Sequence, residues 1–210
     1  MSGLKDTYDE LSDWVSPSLF FSKRLQWGET GLIGVIADFI LYATKGDILE
    51  IGVGVSSIYL TALSKKYNRK AYHCDSNADK MESIREAGYF SPTGELFTCL
   101  SDEMFSKATL TPLAFVFIDG YHGYDQVKRD FWNAEKHLVP NGCILLHDSY
   151  PPSEDYCRQE GSGNGDVYKF RQELEKDNRF DVFTFVCDPL SPQASTLVRK
   201  KPEARPYYQE

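Results

Sequence analysis

Residues 46–57, GDILEIGVGVSS, constrain this chain more than any other stretch. Asp47 to Ile51 is a short apolar run with an acid embedded in it. Gly52 and Gly54 follow at once, and Tyr59 to Lys66 takes on helical spacing. A strand, a tight turn and a helix in that order leave N–H groups without partners at the helix start. They also let a ligand approach the bare backbone of Gly52. An ordinary strand-to-helix turn with no ligand is the alternative.

The detail of the turn favours one kind of ligand. Where a dinucleotide fingerprint G-x-G-x-x-G needs its third glycine, the chain has Ser57, and Glu50 stands two residues before Gly52. A carboxylate there suits a cation better than a pyrophosphate. Glu50, Gly52, Gly54 and Ser57 therefore point to S-adenosylmethionine, with its sulfonium and ammonium groups, rather than to NAD.

A chain of 210 residues is long enough for one domain with a full core. With 23 basic against 31 acidic residues the net charge is −8, which argues against nucleic acid or an anionic membrane as partner. The five cysteines are scattered, with no C-x-x-C pair, as expected of reduced thiols in a cytoplasmic protein. The polar start SGLKDTYDEL carries no signal-peptide pattern, and no apolar run approaches the ~20 residues of a membrane span.

Residues 1–45 read as N-terminal cap helices, 46–200 as the core and 201–210 as a solvated tail. Phe20, Phe21, Leu25 and Trp27 dock on the body or shape a substrate mouth, and Leu32 to Tyr42 has helical spacing. After the helix at 57–67, Ala71–Asp75 reads as strand two, 78–87 as a helix closed by Gly88, and Glu95–Leu100 as strand three. Leu113–Ile118, LAFVFI, is apolar throughout, as a strand buried on both faces should be. Tyr124–Leu138 is amphipathic, Pro140-Asn141-Gly142 turns the chain, and Cys143–Leu146 is strand five. A Pro-, Ser- and Gly-rich loop at 149–165 has the length of a lid or of disorder. A helix at 166–177 and strands near 181–187 and 194–199 complete the chain. The alternation predicts an α/β fold, a doubly wound, Rossmann-like and mostly parallel sheet, with an antiparallel C-terminal hairpin.

In such sheets ligands bind at the carboxyl ends of the strands. Those ends carry Glu50 and Gly52, then Asp75, then Ser101 and Asp102, then Asp119 and His122, then His147 and Asp148. Asp75 lies 23 residues past Gly52, where an acid accepts both ribose hydroxyls of an adenosine, while Asn77 can cap the next helix. Ser101 and Asp102 either meet the adenine or serve as turn chemistry.

In this order the residues E-I-G-x-G-x-S, the acid after strand two, Ser-Asp after strand three, F-I-D-G-x-H and L-L-H-D resemble the class I S-adenosylmethionine-dependent methyltransferases. They are most similar to the small O-methyltransferases related to catechol O-methyltransferase and to the macrolide-sugar and cephalosporin-tailoring enzymes. The match covers about residues 28–150 and includes the Gly28-Glu29 step. The resemblance implies the class I fold and a magnesium ion on Asp119 and Asp148, with Asp119 also bordering the cofactor. His122 stands where catechol O-methyltransferase has its catalytic lysine. Family members also pair into homodimers. Two departures stand out. Ser149 occupies the place of the catechol enzymes' third protein ligand, an asparagine, and His147-Asp148 replaces the paired acids of the sugar-modifying relatives.

The expected reaction is methyl transfer to a hydroxyl of a small molecule, a sugar or natural product. A hydroxyl needs a base or a cation to take or acidify its proton. His122 is the candidate base, with Asp119 and Asp148 holding metal or orienting the imidazole; its alternative role is to cap the helix at Tyr124. His147 is a base, a metal ligand or a buried core residue. Tyr121, Tyr124 and Tyr150 are candidates to flank an acceptor ring, and His73 and His137 read as structural. An NAD-linked oxidoreductase and a non-catalytic cofactor-binding module are the rival functions.

Overall fold

The computed structural model describes residues 29–90, 93–158, 165–186 and 194–201. Phe20, Phe21, Leu25, Trp27, Cys187, the middle of the 149–165 loop and the tail beyond 201 lie outside them.

The elements in chain order are α1 (Glu29–Ala43), β1 (Asp47–Ile51), α2 (Ser56–Tyr67), β2 (Ala71–Cys74), α3 (Ala78–Glu86), β3 (Glu95–Phe97), α4 (Ser101–Lys107), β4 (Leu113–Ile118) and α5 (Tyr124–Glu135). They continue with β5 (Leu138–Leu146), α6 (Glu154–Cys157), α7 (Val167–Lys176), β6 (Phe180–Phe185) and β7 (Ser195–Lys200). The seven strands form one sheet in the order β3-β2-β1-β4-β5-β7-β6. The first five are parallel, and β7 pairs antiparallel with both β5 and β6. The expected doubly wound sheet and C-terminal hairpin are both present.

Every residue of β4 is buried, as its unbroken apolar run requires. On one face Val116 and Ile118 join Leu49, Ile144 and Leu146 beneath α5 and α7, which contribute Val127, Phe131, Phe170 and Leu174. On the other, Phe115, Phe117, Ile48 and Leu145 pack under Ile33, Ala37 and Leu41 of α1 and Leu60 and Leu63 of α2. Strand alternation decides these faces, so Glu50 and its register partner His73 both point to the side that α2 covers.

Local differences from the sequence expectation have tertiary causes. Leu138 leaves the α5 pattern because it pairs with Leu113, and β5 therefore starts before the Pro140-Asn141-Gly142 turn, with Asn141 at φ 65°. Ser101–Lys107, for which the sequence pattern gives no element, is a helix. The 149–165 loop contains the single turn of α6, capped by Ser153. Among the described residues, Cys74, Cys99 and Cys143 are free thiols, and no helix is long and apolar enough to cross a membrane.

Candidate active site

Strand order reverses between β1 and β4, and the glycine turn sits at the carboxyl end of that switch point. Gly52 adopts φ 89°, and a Cβ there would lie 2.1 Å from the Asp119 carbonyl oxygen. The close approach that demands this glycine is therefore made by the end of β4. A Cβ on Gly54 would meet nothing within 4 Å. Two acids tie the turn down. Glu50, fully buried, accepts the Ser56 hydroxyl at 2.5 Å and the Ser57 hydroxyl at 2.7 Å, and lies 2.6 Å from His73 Nδ1. Ser57 Oγ in turn accepts the Gly54 N–H at 3.1 Å. In front, Asp75 Oδ2 accepts the Val53 N–H at 3.0 Å.

The expectation that Glu50 and Ser57 face a cationic ligand needs correction. Strand parity turns Glu50 under α2, where it braces the turn from within the core, and Ser57 is equally buried. What the two residues do in the structure is shape the turn. His73, expected to be structural, is the third member of this network. Only the β1–β2 register, invisible in the sequence, couples residues 50 and 73.

A cavity of about 360 Å³ opens at the switch point. Its lining includes Gly52, Asp75, Leu100, Ser101, Asp119 and Gln126. That volume suits a drug-sized or cofactor-sized ligand. Asp75 spends one lone pair of each oxygen on the backbone, at Val53 and Asn77, which leaves acceptor capacity facing the cavity. Asn77 caps α3, accepting from the Asp79 and Lys80 N–H groups, so Asp75 is released from that duty. Ser101 accepts a hydrogen bond from Gln126 Nε2 at 3.0 Å. Gln126 was not singled out from the sequence; it reaches the cavity because α5 starts directly after the end of β4. Asp102 points away, its carboxylate 3.3 Å from Arg129 Nε on the surface.

Asp119 borders both the cavity and a second constellation. One donor atom from each of Asp119, His122, His147 and Asp148 can be chosen so that all lie within 4.8 Å of one another. Asp119 Oδ1 stands 3.1 Å from His122 Nε2 and 2.9 Å from His147 Nδ1. Asp148 faces His122 Nδ1 through Oδ2 and His147 Nδ1 through Oδ1, each at 3.5 Å. Desolvation works against the Asp119 charge, but hydrogen bonds and charge interactions with the two histidines prevail and hold its pKa at about 2. Asp148 is buried at φ 50°, and its Oδ1 has no hydrogen-bond donor. A buried carboxylate oxygen left without a donor, beside a second carboxylate and two imidazoles, fits a divalent cation.

The surroundings fix several of these residues. The N-cap of α5 is Gly123, one residue after His122. The His122 carbonyl accepts the Asp166 N–H at 2.8 Å. Ser149 is fully buried, and its hydroxyl lies 2.7 Å from Thr196 Oγ1 and 3.2 Å from the Ala194 carbonyl, turned to β7 and away from the cluster. Its carbonyl accepts from Arg171 Nε at 2.9 Å. Of the tyrosines, Tyr121 lines the cavity and is 77 % exposed, which keeps it available to a ligand. Tyr124 bonds Glu173 and Lys128, and Tyr150 lies under the Arg171 guanidinium.

Residues 49–149 match the family described as a methyltransferase domain. Within those residues the chain carries a methyltransferase domain. Solved structures with its fold include the O-methyltransferase TomG from Streptomyces achromogenes, involved in tomaymycin synthesis and solved with S-adenosylmethionine (SAM). It is 18 % identical, the alignment covers 95 % of this chain and 89 % of that one, and the TM-score is 0.64. An O-methyltransferase from Bacillus cereus, in complex with S-adenosylhomocysteine (SAH), is 15 % identical over 96 % and 91 % of the two chains, with a TM-score of 0.65. The SAH-bound methyltransferase PaMTH1 from Podospora anserina is 19 % identical over 95 % and 88 %, with a TM-score of 0.63. A search of curated proteins found no match. At these identities the structural likeness establishes the class I methyltransferase fold, and the family match marks residues 49–149 as a methyltransferase domain.

Proposed function

We propose that this methyltransferase binds S-adenosylmethionine in the switch-point cavity and moves its methyl group to a hydroxyl of a small molecule, a sugar or natural product. The observation that carries the proposal is that Asp119 is shared: it borders the cavity and also belongs to the His-Asp cluster, so donor and proton-handling groups meet at one strand end. The relatives solved with SAM or SAH support the donor.

In this mechanism Asp75 accepts the ribose hydroxyls, and the adenine lies along Leu100 and Ser101. The glycine turn, braced by Glu50 and Asp75, passes under the rest of the donor. An acceptor oxygen attacks the methyl carbon in line. The new C–O bond forms as the C–S bond breaks, and the sulfonium leaves as a neutral thioether. The hydroxyl proton goes to His122, which stands between Asp119 and Asp148; these carboxylates stabilise the imidazolium. Asp119, Asp148 and His147 are the residues that would hold a divalent cation, and a bound cation would acidify the acceptor hydroxyl.

The test is transfer of labelled methyl from SAM to a panel of sugar, catechol and other hydroxyl acceptors, with and without a chelator. Labelled product supports the proposal. Tight SAH binding with no transfer to any acceptor, or NADH binding with no response to SAM, contradicts it.

A further inference from the structure

We infer that the cation site of this methyltransferase selects a first-row transition-metal ion of the cobalt or zinc class over magnesium. The inference rests on the proposed cation site and goes beyond it to the identity of the ion.

The reason is the donor set. His147 directly follows β5, with its ring edge-on to Phe117 at 5.8 Å between centroids and its Nδ1 close to both carboxylates. Nδ1 lies 2.9 Å from Asp119 Oδ1 and 3.5 Å from Asp148 Oδ1. Metal–ligand bonds of ~2.0 to ~2.2 Å put adjacent donors roughly 3 to 3.5 Å apart, so these separations are those of ligands around one ion. The side chain that would restore an all-oxygen set is unavailable, because Ser149 is committed to β7. Asp148, buried with its Oδ1 lacking any donor, supplies the independent sign that this space is built for a positive charge. Magnesium demands oxygen ligands and dehydrates reluctantly. Neutral imidazole suits zinc, cobalt, nickel, copper and iron, and affinity for a nitrogen-containing site rises along the divalent series from manganese to copper. A site with an imidazole between two carboxylates therefore gains more from a d-block ion than from magnesium.

The experiment titrates the metal-stripped full chain with Mg²⁺ and with Co²⁺ by calorimetry, with SAH binding measured on the same preparation. The expected Kd for Co²⁺ is at least about 100-fold below that for Mg²⁺. His147→Ala should shrink that ratio to within about tenfold by weakening Co²⁺ binding. Pulsed EPR of the Mn²⁺-loaded wild-type protein should show coupling to an imidazole nitrogen, a readout that needs no variant to fold. Equal or tighter Mg²⁺ binding, no binding of either ion, or Mn²⁺ bound without nitrogen coupling would each overturn the inference. Because SAH binding is read separately, loss of the cation proposal with SAH retained leaves the donor assignment standing, whereas loss of SAH binding strikes the donor assignment alone.

Discussion

Replacing Asp75 by alanine tests the cofactor site where the structure makes the sharpest claim. Each carboxylate oxygen of Asp75 accepts one backbone N–H, from Val53 at 3.0 Å and from Asn77 at 2.8 Å. What remains can receive a ribose diol. Hydrogen bonds to a charged acceptor contribute ~1.5 to ~3 kcal/mol each. Taking the lower value for both hydroxyls, to allow for replacement by water, gives ~3 kcal/mol, or roughly a 100-fold rise in Kd for SAH. Alanine also leaves the Val53 N–H without its acceptor, at ~1 to ~3 kcal/mol of folding stability. Asp75→Asn, which keeps one oxygen and the shape, should weaken binding by about tenfold. Calorimetry with SAH reads the affinities, and urea unfolding confirms that each variant is folded at the assay temperature. A folded Asp75→Ala protein that binds SAH within about threefold of wild type would refute the placement of the ribose.

Further outcomes follow from the same geometry. Glu50→Ala strands two serine hydroxyls and the His73 imidazole in a dry core and should cost ~3 to ~5 kcal/mol in urea unfolding, while Glu50→Gln costs less. Gly52→Ala drives a methyl into the Asp119 carbonyl at a positive φ; urea unfolding should show a loss of at least ~2 kcal/mol, and SAH binding should fall with it. His122→Ala should lower kcat by ~10² to ~10⁴ with SAH affinity within threefold of wild type, measured by labelled methyl transfer. The lowered pKa of Asp119 means its interactions stabilise the fold fully above the unfolded-state value of about 3.9 and are lost as pH falls through about 2. Urea titrations across that window should therefore show the wild-type advantage over Asp119→Ala shrinking as pH falls.

The ends of β2, β4 and β5 were legible in the sequence to within a residue because local chemistry writes them, whereas β3 stops at Phe97 rather than Leu100. LAFVFI reads as a doubly buried strand, Asn77 as a cap, and the acids at Asp75, Asp119 and Asp148 follow runs whose apolar character sets the strand limits. What the sequence hid depends on register and on contacts between distant segments. His73 joins Glu50 only because β1 and β2 align those two positions. The strict need for glycine at position 52 comes from a carbonyl 67 residues away in the chain, which no local pattern announces. At seven residues, α4 is too short to show periodicity, so Ser101 and Asp102 read as adenine contacts or turn chemistry alike, and their opposite directions, one to the cavity and one to Arg129, emerge only from the helix. His147 reads in the sequence as a base, a metal ligand or a core residue. The proximity of its Nδ1 to both aspartates is a tertiary fact that no local pattern announces.

The most direct measurement is a crystal structure of the full chain with S-adenosylhomocysteine. The account predicts the ribose hydroxyls within hydrogen-bond distance of Asp75, the adenine against Leu100 and Ser101, and the sulfur directed toward Asp119. Density for the ligand anywhere other than the β1–β4 switch point, or a ribose out of reach of Asp75, would contradict it.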